Sequence, residues 1–229
     1  MTGALTLQGK KGLIVGIANE SSIAWGCAQA FRSAGADLAV TWCNEKVRPY
    51  VEPLARQLEA GIALPLDVEQ AGQLEALFDV IAQQWGRIDF VLHSIAFAPK
   101  SDLQGRVVDC SREGFARAMD ISCHSFARMA RLAEPLMKDG GALITMSYLG
   151  AEEVIPNYGL MGPVKAALEA SVRYLAAELG PSGIRVTART AAACGGHCRC
   201  WRAVCLSRWR WRESDDREYD LRRCRIPHS

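Results

Sequence analysis

The chain has 229 residues, 49% of them hydrophobic, and a formal net charge of +2. That length and apolar content suit one large α/β domain with a substantial core. The small charge gives no footing for nucleic acid as a partner, and no apolar run approaches the ~20 residues of a membrane span.

The start, MTGALTLQGKKGLIVGIA, lacks the basic, apolar and cleavage regions of a secretory leader, so a soluble cytoplasmic protein is expected. Residues 12–18, GLIVGIA, read as a buried strand. A helix follows with Ile23, Cys27, Ala30, Phe31 and Ala34 on one face and Gly35 as its stop. ADLAVTW predicts a second strand, residues 50–60 an amphipathic helix, and IALPLDV a third strand. QLEALFDVIAQQWG is helical, with Leu74, Leu77, Phe78 and Ile81 inward. IDFVLHSIA predicts a fourth strand, residues 111–137 a long helical region, and GALITMSY a fifth strand. Leu168, Val172, Leu175 and Leu179 form a stripe on a helix over 164–180, and GIRV opens a sixth strand. Strands alternating with helices predict a doubly wound parallel sheet with helices on both faces.

Such a sheet gathers its ligand-binding residues at the carboxyl ends of its strands. The first strand feeds GIANESSIAWG, which lacks the G-x-G-x-x-G fingerprint. It still places a helix N-terminus, with its unpaired N–H groups, where a pyrophosphate can sit. Gly16 allows close backbone approach, and Ser21 and Ser22 can donate to phosphate or cap the helix. The third strand closes on Asp67 and Val68, the fourth on HSIAFAP. One aspartate at a strand end is usually a cap; three such ends in order point to a dinucleotide.

YGLMGPVKAALEA places Tyr158 and Lys165 seven residues apart, with Gly159, Gly162 and Pro163 between them. On an unbroken helix they would share a face about 10 Å apart. Proline costs about 3 kcal/mol inside a helix but is tolerated in its first turn. The regular helix is therefore expected to start or bend near Pro163, with Tyr158 on its approach.

These segments, with YLGAEEVIPNYGLMGPVKAALEA and VRYLAAELGPSGIRV, closely resemble bacterial NADH-dependent enoyl-(acyl-carrier-protein) reductases over about residues 3–186. That family is a divergent branch of the short-chain dehydrogenase/reductase superfamily, with a Rossmann-like fold and a Tyr-x6-Lys spacing in place of Tyr-x3-Lys. The resemblance implies that Tyr158 and Lys165 are the catalytic pair, with Tyr148 beside the substrate. It implies Gly16, Ser22, Ile23, Asp67, Val68, Ser94, Ile95 and Lys165 around the dinucleotide, and Ala98 in the acyl pocket. Lys165 would ease the Tyr158 proton and hold the cofactor ribose. The implied reaction reduces a trans-2-enoyl thioester carried by acyl carrier protein, in fatty-acid synthesis. NAD(H) is the implied cofactor. Cys43 stands where the family usually has glutamine, and Lys46 and Arg48 nearby leave NADP(H) open. A homotetramer is the implied assembly, with the Leu168/Val172/Leu175/Leu179 stripe and the small residues Ala166, Ala167, Ala170 and Ala176 suited to packing between subunits. The runner-up is a dinucleotide-binding protein of this fold without catalysis.

Composition breaks near Thr187. Ten of the arginines and five of the nine cysteines lie beyond it, and no lysine does. Residues 188–229 sustain neither helical nor strand periodicity, and read as a tail, disordered or poorly packed, from a shifted reading frame. A domain over 1–187 is therefore expected, with the C-terminal part of the fold replaced. Cys194, His197, Cys198 and Cys200 are spaced too tightly for the usual paired-ligand zinc sites. The other four cysteines, Cys27, Cys43, Cys110 and Cys123, read as packing thiols, so no metal is expected.

Overall fold

A computed structural model describes residues 6–190. The main elements are β1 (Lys11–Val15), α1 (Ile23–Ser33), β2 (Asp37–Trp42), α2 (Arg48–Gln57), β3 (Ile62–Pro65), α3 (Gln73–Trp85), β4 (Phe90–His93), α4 (Lys100–Gln104), α5 (Arg112–Met119), α6 (Ser125–Ala133), β5 (Gly141–Ser147), α7 (Met161–Leu179) and β6 (Ile184–Thr190). All six strands pair in parallel, in the order β3-β2-β1-β4-β5-β6. The order reverses between β1 and β4, which opens a crevice at the carboxyl edge of the sheet. This is the expected Rossmann-like doubly wound sheet. Among the described residues, no helix is long and apolar enough to cross a membrane.

Alternate residues of each strand feed opposite faces. Leu13, Val15, Val91 and Leu143 pack under α3, α6 and α7. Ile14, Leu38, Val40, Phe90, Leu92 and Ile144 pack under α1 and α2. Both faces are covered, which is why the strands read as continuous apolar runs rather than alternating ones.

Several expectations are refined. The apolar runs outlast the strands: β1 stops at Val15, β3 at Pro65 and β4 at His93. Ile17, Leu66 and Val68 stay buried beyond the ladders, so their hydrophobicity reports burial rather than strand. Pro65 is tolerated because β3 is an edge strand. The long helical region is α5, a π turn over Asp120–His124, α6 and a 3-10 turn over Glu134–Leu136. β6 runs on to Thr190, past the compositional break. Leu168, Val172 and Leu179 are buried in the chain's own core, with Leu175 packed against them. The expected intersubunit stripe is thus used in folding the subunit. The readings of residues 191–229, including the Cys194/His197/Cys198/Cys200 group, lie outside the described residues.

Phe90 has no exposure; its ring meets Phe31 at 4.8 Å between centroids and covers Gly12. Phe90→Ala leaves a cavity between β1, β4 and α1, and is expected to cost about 3–5 kcal/mol in urea unfolding.

Candidate active site

Because the strands are parallel, the turns after β1, β3, β4 and β5 open on one edge. The turn after β1 is shaped by Gly16, which adopts φ 108°. A Cβ there would stand 2.1 Å from the Ser94 carbonyl oxygen, so only glycine lets the two loops touch. Ser22 Oγ accepts from the Ala18 and Asn19 N–H groups and closes the turn. No side chain caps α1, so its first turn presents N–H groups to the edge, as an anion seat requires. Ser22 therefore shapes this turn, and the first turn of α1 carries the uncapped N–H groups.

A cleft of about 440 Å³ lies beside this turn, lined by residues that include Ile23, Ser94, Ile95, Tyr148, Tyr158 and Lys165. Six of the expected residues thus converge. Gly16, Ser22, Asp67, Val68 and Ala98 do not line it. Gly16 touches the backbone of Ser94, which does line it. Asp67 Oδ1 accepts from the Glu69 N–H in a local turn. Val68 is buried, and its carbonyl accepts from Arg128. Ala98 packs against the core. Met146, Ser147, Ile155 and Pro156 also line the cleft and were not singled out in the sequence. The apolar Ile155–Pro156 pair just before the tyrosine was the available signal for the latter two.

Tyr158 precedes α7, in a turn closed by the Met161 N–H bonding to its carbonyl at 3.0 Å. Pro163 occupies the third position of the helix, where no intrahelical N–H bond is due. The expected approach geometry is therefore present. Tyr158 lies against Tyr148, with ring centroids 4.8 Å apart and planes tilted by 57°. A Cβ on Gly150 would stand 2.5 Å from the Tyr158 ring, so that position holds the tyrosine by leaving it room.

Lys165 is 4% exposed and donates to the Met146 carbonyl at 2.7 Å. Burial pulls its pKa down to about 8, against the opposing influence of Cys123 and Glu169. Glu169, one helical turn further on, accepts from Ser147 Oγ; sequence reasoning missed this pair. Tyr158 moves the other way. Burial first, and Tyr148 second, push it up to about 12. This corrects the expectation that Lys165 eases the Tyr158 proton: here desolvation dominates, and the phenol is a firmly protonated donor at neutral pH.

A doubly wound sheet with a glycine-shaped turn after β1, and a tyrosine placed ahead of a lysine-bearing helix, is the arrangement of the short-chain dehydrogenase/reductase class. Within it, residues 16–193 match the family model for Enoyl-(Acyl carrier protein) reductase. The chain is 51% identical over 185 residues to enoyl-(acyl-carrier-protein) reductase (NADH) 1 of Rhizobium meliloti strain 1021, covering 81% of this chain and 68% of the relative. It is 50% identical to a Rickettsia felis counterpart over 81% of this chain and 71% of that one. A crystal structure of the Anaplasma phagocytophilum reductase in complex with NAD superposes with a TM-score of 0.79 at 45% identity, over 86% of this chain and 78% of that chain. A Bacillus cereus enzyme with NADP+ and indole naphthyridinone gives 0.77 at 45% identity, over 85% and 79%. The chain belongs to the enoyl-(acyl carrier protein) reductase family.

The depressed Lys165 pKa has a stability consequence of fixed sign. The unfolded chain binds the proton with the ordinary affinity, near 10.5, and the folded chain releases it near 8. Between these values the unfolded state holds more protons, so stability rises with pH; below pH 8 the native state carries the full cost. Lys165→Met removes that dependence. Urea unfolding of the two proteins from pH 7.5 to 10.5 is expected to show wild type gaining about 2–4 kcal/mol relative to the variant.

Proposed function

We propose that this chain reduces a trans-2-enoyl thioester carried on acyl carrier protein, at the expense of NADH, in fatty-acid synthesis. The observation that carries this reading is the meeting of Tyr148, Tyr158 and Lys165 in one cleft beside the uncapped start of α1.

The cleft fits a dinucleotide on its own terms. Gly16 lets backbone approach without side-chain obstruction, and the first turn of α1 offers N–H groups to a pyrophosphate. Ser94 and the apolar Ile95 form a wall against which a flat ring could lie, and Lys165 lines the same cleft, where an ammonium could grip ribose hydroxyls. Bound there, a reduced nicotinamide would supply the hydride for the β-carbon of the substrate.

The protein's part is electrostatic. Negative charge grows on the thioester carbonyl oxygen as the β-carbon is reduced. Tyr158, held as a neutral phenol, donates to that oxygen and stabilises the enolate more than the ground state. Tyr148 packs on the Tyr158 ring and limits its swing. Lys165 supplies positive charge from its anchored position. The chain is further proposed to assemble as a homotetramer in the cytoplasm, and residues 188–229 to derive from a shifted reading frame that begins after a domain ending near 187.

NADH oxidation by the full chain, with and without a short trans-2-enoyl thioester, tests the activity. Enoyl-dependent oxidation is expected. Tyr158→Phe should lower kcat by about 100- to 1000-fold while the NADH Kd holds, because it removes one donor to the developing charge. Cofactor binding without enoyl-dependent oxidation would instead support the non-catalytic reading. The pH profile is a separate check. kcat/KM for NADH is expected to fall as pH rises through about 8, where Lys165 loses its charge, with no limb from Tyr158 below about pH 11.

A further inference from the structure

Ser122 and Ser125 stand three residues apart where α5 passes through its π turn into α6. Both reach across to the segment that leaves β4. Ser122 Oγ accepts from the Phe97 N–H at 2.8 Å and donates to the Phe97 carbonyl at 3.0 Å. Ser125 Oγ lies 2.9 Å from His93 Nε2 and donates to the Ile121 carbonyl at 2.6 Å.

That last bond settles the histidine. A serine hydroxyl has one proton, and Ser125 spends it on Ile121. Ser125 Oγ must then accept from His93, so Nε2 carries the imidazole proton. Nδ1 is the bare nitrogen, and accepts from Thr145 Oγ1 at 2.8 Å. The ring is fully buried, and Phe126 packs on it at 5.3 Å. Burial, reinforced by the charge of Lys165, pulls its pKa down to about 3, so the neutral form is the resident one.

The two serines thus hold the two ends of one short segment, His93 and Phe97. Between them lie Ser94, Ile95 and Ala96, all lining the cleft. A π turn admits an extra residue into a helix and often marks a functional place; here it brings two hydroxyls to two separate anchor points. We propose that the π turn is a clamp on the cofactor wall, in which Ser122 grips Phe97 and Ser125 grips His93 in its Nε2–H form, making His93 a positioning residue for the nicotinamide cofactor. The inference rests on the reading of the cleft as a dinucleotide site.

Two measurements on the apo full chain judge the clamp without cofactor. Nitrogen NMR of the His93 ring, assigned by its loss in His93→Gln, is expected to show a protonated Nε2 and a bare Nδ1 at neutral pH. An Nδ1–H tautomer or an imidazolium overturns the proposal, and this needs no serine variant to fold. In Ser122→Ala and Ser125→Ala, amide exchange over residues 94–97 is expected to quicken by at least about tenfold relative to the core strands. The NADH Kd, read by fluorescence titration, is expected to rise by about tenfold. Loss of melting temperature alone, with exchange at 94–97 and NADH Kd within twofold of wild type, would reduce the serines to packing and overturn the clamp. If wild type binds no NADH, the dinucleotide reading fails, and with it the cofactor role of the clamp; the tautomer and exchange rates then show separately whether the mechanical clamp exists.

Discussion

Taking an ammonium out of water costs several kcal/mol unless polar partners replace the solvent, and Lys165 is 4% exposed. Its partner is the Met146 carbonyl, near the end of β5. One turn along the same helix, Glu169 accepts from Ser147, the next residue of β5. Two polar bonds, one turn apart on α7 and adjacent on β5, therefore fix the helix in register against the strand. The residue after Ser147 is Tyr148, and the turn leading into α7 carries Tyr158. Once α7 is registered, the two tyrosines have little choice but to meet. The meeting of the two tyrosines is a by-product of satisfying a buried charge.

The same constraint explains the weak start of α7. A helix continuous through Tyr158 would set its side chain two turns from Lys165 along a single face. Ending the helix at Met161 frees the tyrosine backbone to turn toward β5. Pro163 enforces that start without sacrificing a bond, since its missing N–H falls in the first turn. Gly150 then clears the space into which the ring turns.

Much of this was legible in the sequence, and for reasons that can be named. The order of strands and helices followed from apolar periodicity, because both faces of the sheet are covered. The displaced helix start followed from proline chemistry. Strand ends were misjudged because Ile17, Leu66 and Val68 are apolar for burial beyond the ladder. The stripe on α7 looked available to a partner because periodicity reports that a face is buried, and not against what. Glu169, Ser122 and Ser125 escaped notice because their partners are 22, 25 and 32 residues away, and no local pattern encodes a bond of that range.

Charge state was the least legible property, since it depends on burial that only the folded chain creates. Tyr158, Lys165 and His93 are all pushed toward their neutral forms by desolvation, to about 12, 8 and 3. The push does not silence all three at neutral pH. Tyr158 keeps its proton and remains a donor. His93 lacks the second proton and remains a neutral link between Thr145 and Ser125. Only Lys165 stays charged, because the influence of Cys123 and Glu169 keeps its pKa from falling further. A second cation at His93 would repel that charge. The neutrality of the histidine and the charge of the lysine are thus one electrostatic arrangement. It leaves a single ammonium and a protonated phenol lining the cleft, the combination that the proposed stabilisation of an oxyanion calls for.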